Sequence, residues 1–326
     1  MATSVVLPLT GRLDMALSNY AKGYRNNQDV TDLLFPRLPV LRQTDRYWVF
    51  GREAQQLSNN TLRAPGSPSE RTSFKLSSSS YFCPSHALSA VVADEEKKSY
   101  SIGDLNQSTV ELLQTKLMLD RQARAATLAT TPANYGNNTQ TLSAGSLWSD
   151  YVNSNPITAV ETAKEAIITT GSPANLLILG YDVYKMVRNH PLIVDRFKYT
   201  QVGVIGPQEL ATVFGVDKVV VAAGIKDNGD GTQSYLWGKN AILAYVAPSV
   251  VNAGVIGAEG QVAPKDISFG KSFVWTDAPL TIDGYGVIIA RHPDATAKAD
   301  LLGVDWYSTE NITAPEAGYL FANAVA

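Results

Sequence analysis

With 326 residues, the chain has room for one large domain or two to three smaller ones, with an ample core. A formal net charge of −3 excludes a broadly basic nucleic-acid binder. Charged residues make up only 17% of the chain, below the roughly 25% usual for a soluble domain, as fits either a surface covered by neighbours or an ordinary protein rich in uncharged polar residues.

The single cysteine, Cys83, rules out an intramolecular disulfide and suits a reducing compartment. The three histidines, His86, His190 and His292, are far apart in sequence, so a Cys/His metal site has little to draw on. The first residues, MATSVVLPLTG, lack the basic start and long apolar run of a signal peptide. The most apolar window, Ala241 to Val251, is short and contains Pro248, so it does not read as a membrane span.

In chain order, residues 1–40 read as an N-terminal arm that crosses a surface, with a helix near Leu13 to Tyr24 and extended backbone around Pro36 and Pro39. Such an arm should be removable up to Pro39 without unfolding the rest. Two strand-like runs, RYWVFGREA and SERTSFKLSSSSYF, flank the turn-rich SNNTLRAPGSPSE and predict a long two-stranded loop over 41–85. From Leu41 to Phe82 its net charge is +3, which fits contact with an acidic neighbouring copy or a merely solvated loop. Asp94 to Lys98 is a charge run and reads as a solvated face.

Ser108 to Leu128 is the longest uninterrupted helical signal, predicted to start at a capping box formed by Ser108 and Glu111. Leu105, Leu112, Leu119 and Ala126 recur every seven residues, with Val110, Leu113 and Leu117 as a second apolar row. On this pattern, Asp in place of Leu112 or Leu119 should abolish folding. A second helix is predicted over Trp148 to Thr170, with Pro156 near its first turn and Ile157, Val160, Ala163 and Ile167 as its stripe.

From Asn175 the pattern becomes a compact α/β unit inserted in the chain. It has a strand over Leu176 to Leu179, a helix over Tyr181 to Arg188, a break at Asn189–Pro191, a helix over Pro207 to Phe214 and a strand over Lys218 to Ala222. SYLWGKNAILAYV adds a pair of strands. Further strands are expected over Ser268 to Trp275, Tyr285 to Arg291, Leu301 to Tyr307 and the final GYLFANAV, with a bulge or close approach at Gly284 and Gly286.

Chemical motifs are sparse. Cys83 and His86 lie three apart, but a nucleophilic pair needs fold proximity and an orienting third group. Asp227 to Thr232, DNGDGT, begins like a calcium loop but has Gly238 where the bidentate Glu belongs, and reads better as a hairpin turn. Gly254, Gly257 and Gly260 do not lead into a helix as a phosphate cradle would. Lys75 is a candidate for an inter-chain isopeptide bond, with a solvated lysine preferred. No catalytic residue, cofactor-binding residue or metal ligand is assigned, and no cofactor is expected.

The order of parts, together with ELLQTKLMLDRQARAATL (111–128), ANLLILGYDVYKMVRNHPLIVDRFKY (174–199), ELATVFGVDKVVVAAG (209–224), WGKNAILAYV (237–246), SFGKSFVWTDAP (268–279) and GYLFANAVA (318–326), resembles the tailed-bacteriophage major capsid proteins with the HK97-like fold. The resemblance is close from about residue 90 onward and extends to the first ninety residues in layout only. It implies an α+β capsid fold with an N-terminal arm at 1–40 and an extended loop at 41–85. A peripheral domain at 86–174 would carry the spine helix 108–128, an axial domain would occupy 175–261, and 262–326 would return as peripheral strands and a C-terminal strand. It also implies a non-enzymatic shell subunit that self-assembles into hexamers and pentamers around double-stranded DNA, in a virion assembled in the host cytoplasm. The partners expected are further copies of the chain, portal, scaffolding and possibly decoration proteins, and DNA contacted without specificity, with no membrane. Many relatives carry a charged helical segment before the arm; its absence here implies a separate scaffolding protein or none. An encapsulin-like cargo shell and an α/β enzyme built on 175–246 are the competing readings.

Overall fold

A computed structural model describes residues 12–13, 30–50, 62, 65–66, 76–99, 104–169, 173–198, 205–247, 268–277 and 287–326. The helix expected over Leu13 to Tyr24 lies outside the described residues beyond Leu13, and most of the tip of the 41–85 loop, Lys75, Gly254, Gly257, Gly260, Gly284 and Gly286 lie outside them too.

The larger sheet is organised by its longest strand. β1 (Arg12–Leu13), β2 (Arg37–Val40), β5 (Ser85–Ala93), β12 (Gly270–Trp275), β13 (Val287–Asp294) and β14 (Ala299–Ile312) form it, in the order β1-β13-β14-β12-β2 with β5 also on β14. Along β14 the buried positions alternate, with Leu302, Val304, Trp306, Ser308 and Glu310 on one face, as the two-residue period of a strand requires. Residues 299–307 pair with β5, while Ser308 to Ile312 pair with β12. The hairpin of β3 (Thr44–Phe50) and β4 (Leu76–Phe82) is a separate antiparallel pair, as the sequence predicts. The charge run forms α2 (Asp94–Ser99), which follows the short α1 (Thr31–Leu34) in helix order and buries no residue.

The central helix, α3 (Leu105–Ala129), is 25 residues long, about 37 Å. Its first half packs on the sheet through Val110, Leu113 and Leu117, which meet Val92, Ile289, Leu302 and Val304. Its second half carries Ala125, Ala126 and Ala129 into a core shared with Leu34, Phe35, Leu176, Phe269 and Leu320. Two expectations are corrected here. The helix is capped by Asp104, whose side chain accepts from the Asn106 amide, and Ser108 lies inside it, donating to the Asp104 carbonyl. The seven-residue row is only partly buried, since Leu112 is 54% exposed whereas Ala126 is buried, and the core stripe of the first half runs Val110, Leu113, Leu117 and Arg121. Arg121 conceals that stripe from a hydropathy reading, since it sits at a core position neutralised by partners.

The smaller sheet has the order β6-β15-β11-β7-β8, from β6 (Thr139–Thr141), β7 (Leu176–Gly180), β8 (Lys218–Ala222), β11 (Ala241–Ala244) and β15 (Gly318–Ala322). β7 is buried on both sides: Leu176 and Ile178 enter the core shared with α3, whereas Leu177 and Leu179 meet a second core. That second core is covered by α4 (Pro156–Ile168), α5 (Tyr181–Arg188), α6 (Pro191–Phe197) and α7 (Pro207–Phe214). The expected stripe of α4, Ile157, Val160, Ala163 and Ile167, is buried there. α7 ends at Gly215 in the left-handed region (φ 59°), and the Lys164 ammonium donates to the carbonyls of Phe214 and Gly215, neutralising the helix end.

Other expectations shift. The second helix begins at Pro156, capped by Asn155, and Trp148 instead lies buried in a loop against Phe321, 5.0 Å between ring centroids. The break at Asn189–Pro191 is a corner between two helices, because His190 caps α6 by accepting from the Leu192 amide. The α/β unit is not self-contained, since β6 and the C-terminal β15 supply strands from outside it. The arm does not merely cross a surface: Leu34 and Phe35 are fully buried, and Ser272 of β12 pairs in parallel with Arg37 of β2. Single-chain reading sees too few apolar residues there to form a core, and the core is completed from distant segments.

Candidate functional site

The β3–β4 hairpin is the feature least supported by its own chain. It runs seven residue pairs, from Thr44↔Phe82 at its foot to Phe50↔Leu76, and Ser77 to Ser80 are exposed along it. Among the described residues, its packing on the body lies in its lower half. Tyr81 and Tyr47 pack on Phe273 of β12, and Cys83 and Leu38 complete that small cluster. The Tyr81 hydroxyl donates to the Arg42 carbonyl, and the Gln43 side chain to that of Cys83. A two-stranded ribbon is marginal by itself in water, so the exposed length of this one calls for a surface to lie on.

Beneath the foot lies a buried ionic cluster. Arg121 donates from Nη1 to Asp32 at 2.7 Å and from Nε to Glu310 at 3.0 Å. Arg37 donates to Asp32 from Nε and Nη2, at 2.9 and 2.8 Å. The guanidinium groups of Arg37 and Arg121 lie 5.3 and 5.0 Å from the ring centroid of Trp306. Burial pushes the Asp32 carboxyl up, but Arg121 and Arg37 outweigh it and hold it well below the usual carboxylate range. Arg124 extends the cluster, ion-paired with Asp120 and with Glu310 at 3.6 Å, and its Nη1 lies 2.9 Å from Nδ1 of His86. The cluster thus ties the N-terminal segment, the central helix, β14 and the start of β5 together.

The sequence-level chemical candidates do not form a site. Cys83 is buried, its Sγ faces the Phe273 carbonyl at 3.5 Å, and burial with help from Glu310 pushes its thiol up to about 12, away from thiolate chemistry. His86 is engaged with Arg124 instead. Asp227 to Thr232 is the turn joining β9 (Ile225–Asp227) to β10 (Gln233–Tyr235): Asp227 accepts from the Gly229 amide and Asp230 from that of Thr232. Among the described residues no group of three His, Cys, Asp or Glu side chains is placed to hold a metal, and no helix is long and apolar enough to cross a membrane. The ionic cluster has no sequence signature, because its members come from residues 32 to 310 and only the fold brings them together.

No family model matches the chain. Over 237 residues, 72% of this chain and 76% of the relative, it is 30% identical to the major capsid protein of Burkholderia phage BcepMu. It is 26% identical to the major capsid protein of Pseudomonas phage JBD67, over 96% of this chain and 97% of that protein. Among solved structures, a phage-related protein from Bordetella bronchiseptica RB50 superposes with a TM-score of 0.77 at 28% identity, covering 96% of this chain and 98% of that one. The cyanophage P-SCSP1u capsid (TM-score 0.56, 11% identity, 93% and 90% covered) and the SrpI encapsulin of Synechococcus elongatus PCC 7942 (0.52, 9%, 96% and 95%) share the fold.

Proposed function

We propose, from the premise that this chain belongs to the phage major capsid proteins, that copies of it close into a shell by laying the β3–β4 hairpin of one subunit on the body of the next. The chain is a phage coat protein with the HK97-like fold. The observation that carries the assembly reading is the hairpin itself: seven pairs long, packed on the body through Tyr81 and Tyr47, and with Ser77 to Ser80 exposed. Interfaces of obligate assemblies are depleted in charge, and the 17% charged fraction fits that demand.

In this reading hexamers and pentamers are the building units. The smaller sheet with α4 to α7 forms the axial part, the larger sheet with the central helix forms the peripheral part, and the N-terminal residues tie neighbouring copies. In this reading β6 and α4, which lie within 86–174 of the sequence partition, and β15, which lies within 262–326, go with the axial part; their place in the smaller sheet or on its core supports that grouping. Portal, scaffolding and decoration proteins would meet the assembled shell, which forms in the host cytoplasm. DNA would be contacted without sequence readout, since a chain at −3 lacks the cations for broad phosphate neutralisation. The subunit has no catalytic task in this reading, in keeping with relatives named for a structural role.

The encapsulin likeness, at 9% identity, speaks to the fold alone, whereas the curated relatives are phage coat proteins, so a cargo compartment is the weaker alternative. Light scattering on the purified full chain tests the assembly. The expected species is many multiples of 35.1 kDa, and a stable monomer in every buffer and at every concentration would contradict it.

A further inference from the structure

We propose that His86 and Arg124 form an acid-sensitive latch holding the foot of the hairpin against the central helix. The inference holds whether or not the hairpin meets a second copy.

Arg124 can only donate hydrogen bonds, so its Nη1, 2.9 Å from His86 Nδ1, requires a lone pair on that nitrogen. The imidazole is therefore neutral, with its proton on Nε2, and a hydrogen bond to the Ser308 backbone occupies the ring as well. The position matters as much as the bond. β4 ends at Phe82, the buried Cys83 donates its amide to the Gln43 carbonyl, and β5 begins at Ser85, so His86 sits where the hairpin joins the sheet. There its backbone is in register with Trp306, at the centre of the ionic cluster.

The charged groups acting on the ring are Arg124 and Asp120 of the central helix and Glu310 of β14; β5 itself carries no other charged residue. Both carboxylates are already engaged, Asp120 by Arg124 and Glu310 by Arg121, Arg124 and the Ser272 hydroxyl. Arg37, Arg121 and Arg124 balance Asp32, Asp120 and Glu310, so the cluster is neutral as it stands. A proton on Nδ1 breaks the bond from Arg124 and adds an uncompensated positive charge beside a guanidinium. Burial, and then Arg124, hold the imidazole below its ordinary value, in keeping with that geometry.

The sign follows. A base with a lowered folded pKa is most strongly held above its ordinary value of about 6.5, and the hold weakens as pH falls from there towards the folded value. Over that interval the population of the opened foot rises by up to about tenfold per pH unit.

Amide hydrogen exchange on the full chain, corrected for the intrinsic pH dependence of exchange, tests this. Between pH 7.5 and 5.5 protection over residues 81–92 should fall several-fold while that of β7 stays constant, and in His86→Gln, whose amide accepts from Arg124 without titrating, the fall should vanish. Constant wild-type protection, or an equal fall in the variant, overturns the latch. Should the variant not fold, NMR of labelled histidine in the wild type decides: the expected result is the Nε2–H tautomer at pH 7.5 with titration below 6.5, and an Nδ1–H tautomer or titration at or above 6.5 overturns it.

Discussion

Tyr81 at the foot of the hairpin stacks on Phe273 of β12, with ring centroids 4.5 Å apart and planes 2° from parallel. Both rings are buried, and Phe273 is also approached by Tyr47 at 5.0 Å. This stack is the mechanical link between a projecting ribbon and a rigid body, so the two partners should respond differently to truncation. Tyr81→Leu loses the ring stack and the hydroxyl's bond to the Arg42 carbonyl but keeps an apolar side chain at the site, and should cost about 1–3 kcal/mol. Phe273→Ala opens a cavity in the sheet and should cost about 3–5 kcal/mol. Chemical denaturation of the two variants checks the order; equal losses would mean that the stack does not organise the foot.

The pairing of Asp32 with Arg121 and Arg37 sets an acid limb on stability. Its carboxyl is held well below the ordinary value near 3.9, so its contribution is complete above that value and lost as pH falls below it. Asp32→Asn should flatten this limb and lower stability at neutral pH. Arg121→Met, which leaves Asp32 and Glu310 without their buried cation, should cost about 3–5 kcal/mol. Thermal melts from pH 7 to 2.5 measure both effects, and a wild-type limb unchanged in Asp32→Asn would assign the acid loss to other groups.

The two leucine rows of the central helix separate folding from surface effects. Leu117 is buried, and Leu117→Asp places an unpaired charge in the core and should prevent folding. Leu112 is 54% exposed, and Leu112→Asp should leave the fold within about 0.5 kcal/mol of wild type. Circular dichroism of the two proteins distinguishes them; an unfolded Leu112→Asp chain would show that this face is covered within the subunit.

Truncation at the N-terminus should show a threshold. Removing residues 1–29 should leave the body folded, whereas removal through Leu38 takes Leu33, Leu34 and Phe35 out of the core and Asp32 from Arg121. At about 1.5–3 kcal/mol for each large apolar side chain, the longer deletion should unfold the chain. Equal melting temperatures for the two truncations would contradict the place of this segment in the core.

Much of this architecture is legible in the residues, for stated reasons. Strand Leu176–Gly180, helix Pro207–Phe214 and strand Lys218–Ala222 carry local signals that tertiary packing does not override: a continuous apolar run, a proline at the first helical position and a glycine after the last. What stayed hidden depends on distance. Arg121 looks like a surface residue until Asp32 and Glu310 reach it, and His86 looks like the partner of Cys83 until Arg124 claims it. The S-x-x-E pattern at Ser108 was outranked by Asp104 four residues earlier, a boundary that local propensity leaves free to slide. The core role of Leu34 and Phe35 depends on partners such as Phe269, more than 200 residues away.

The central claim, that this coat protein assembles through its hairpin, is tested most directly by negative-stain microscopy of two full preparations. One is the wild-type chain, and the other has residues 48–78 replaced by a two-residue turn, so that the ribbon is cut back to its foot. The account predicts closed shells or ring-shaped capsomers from the wild type, and from the shortened hairpin only small particles with native circular dichroism. Shells formed equally well by the shortened chain, or no assembly by the wild type at any concentration, would contradict it.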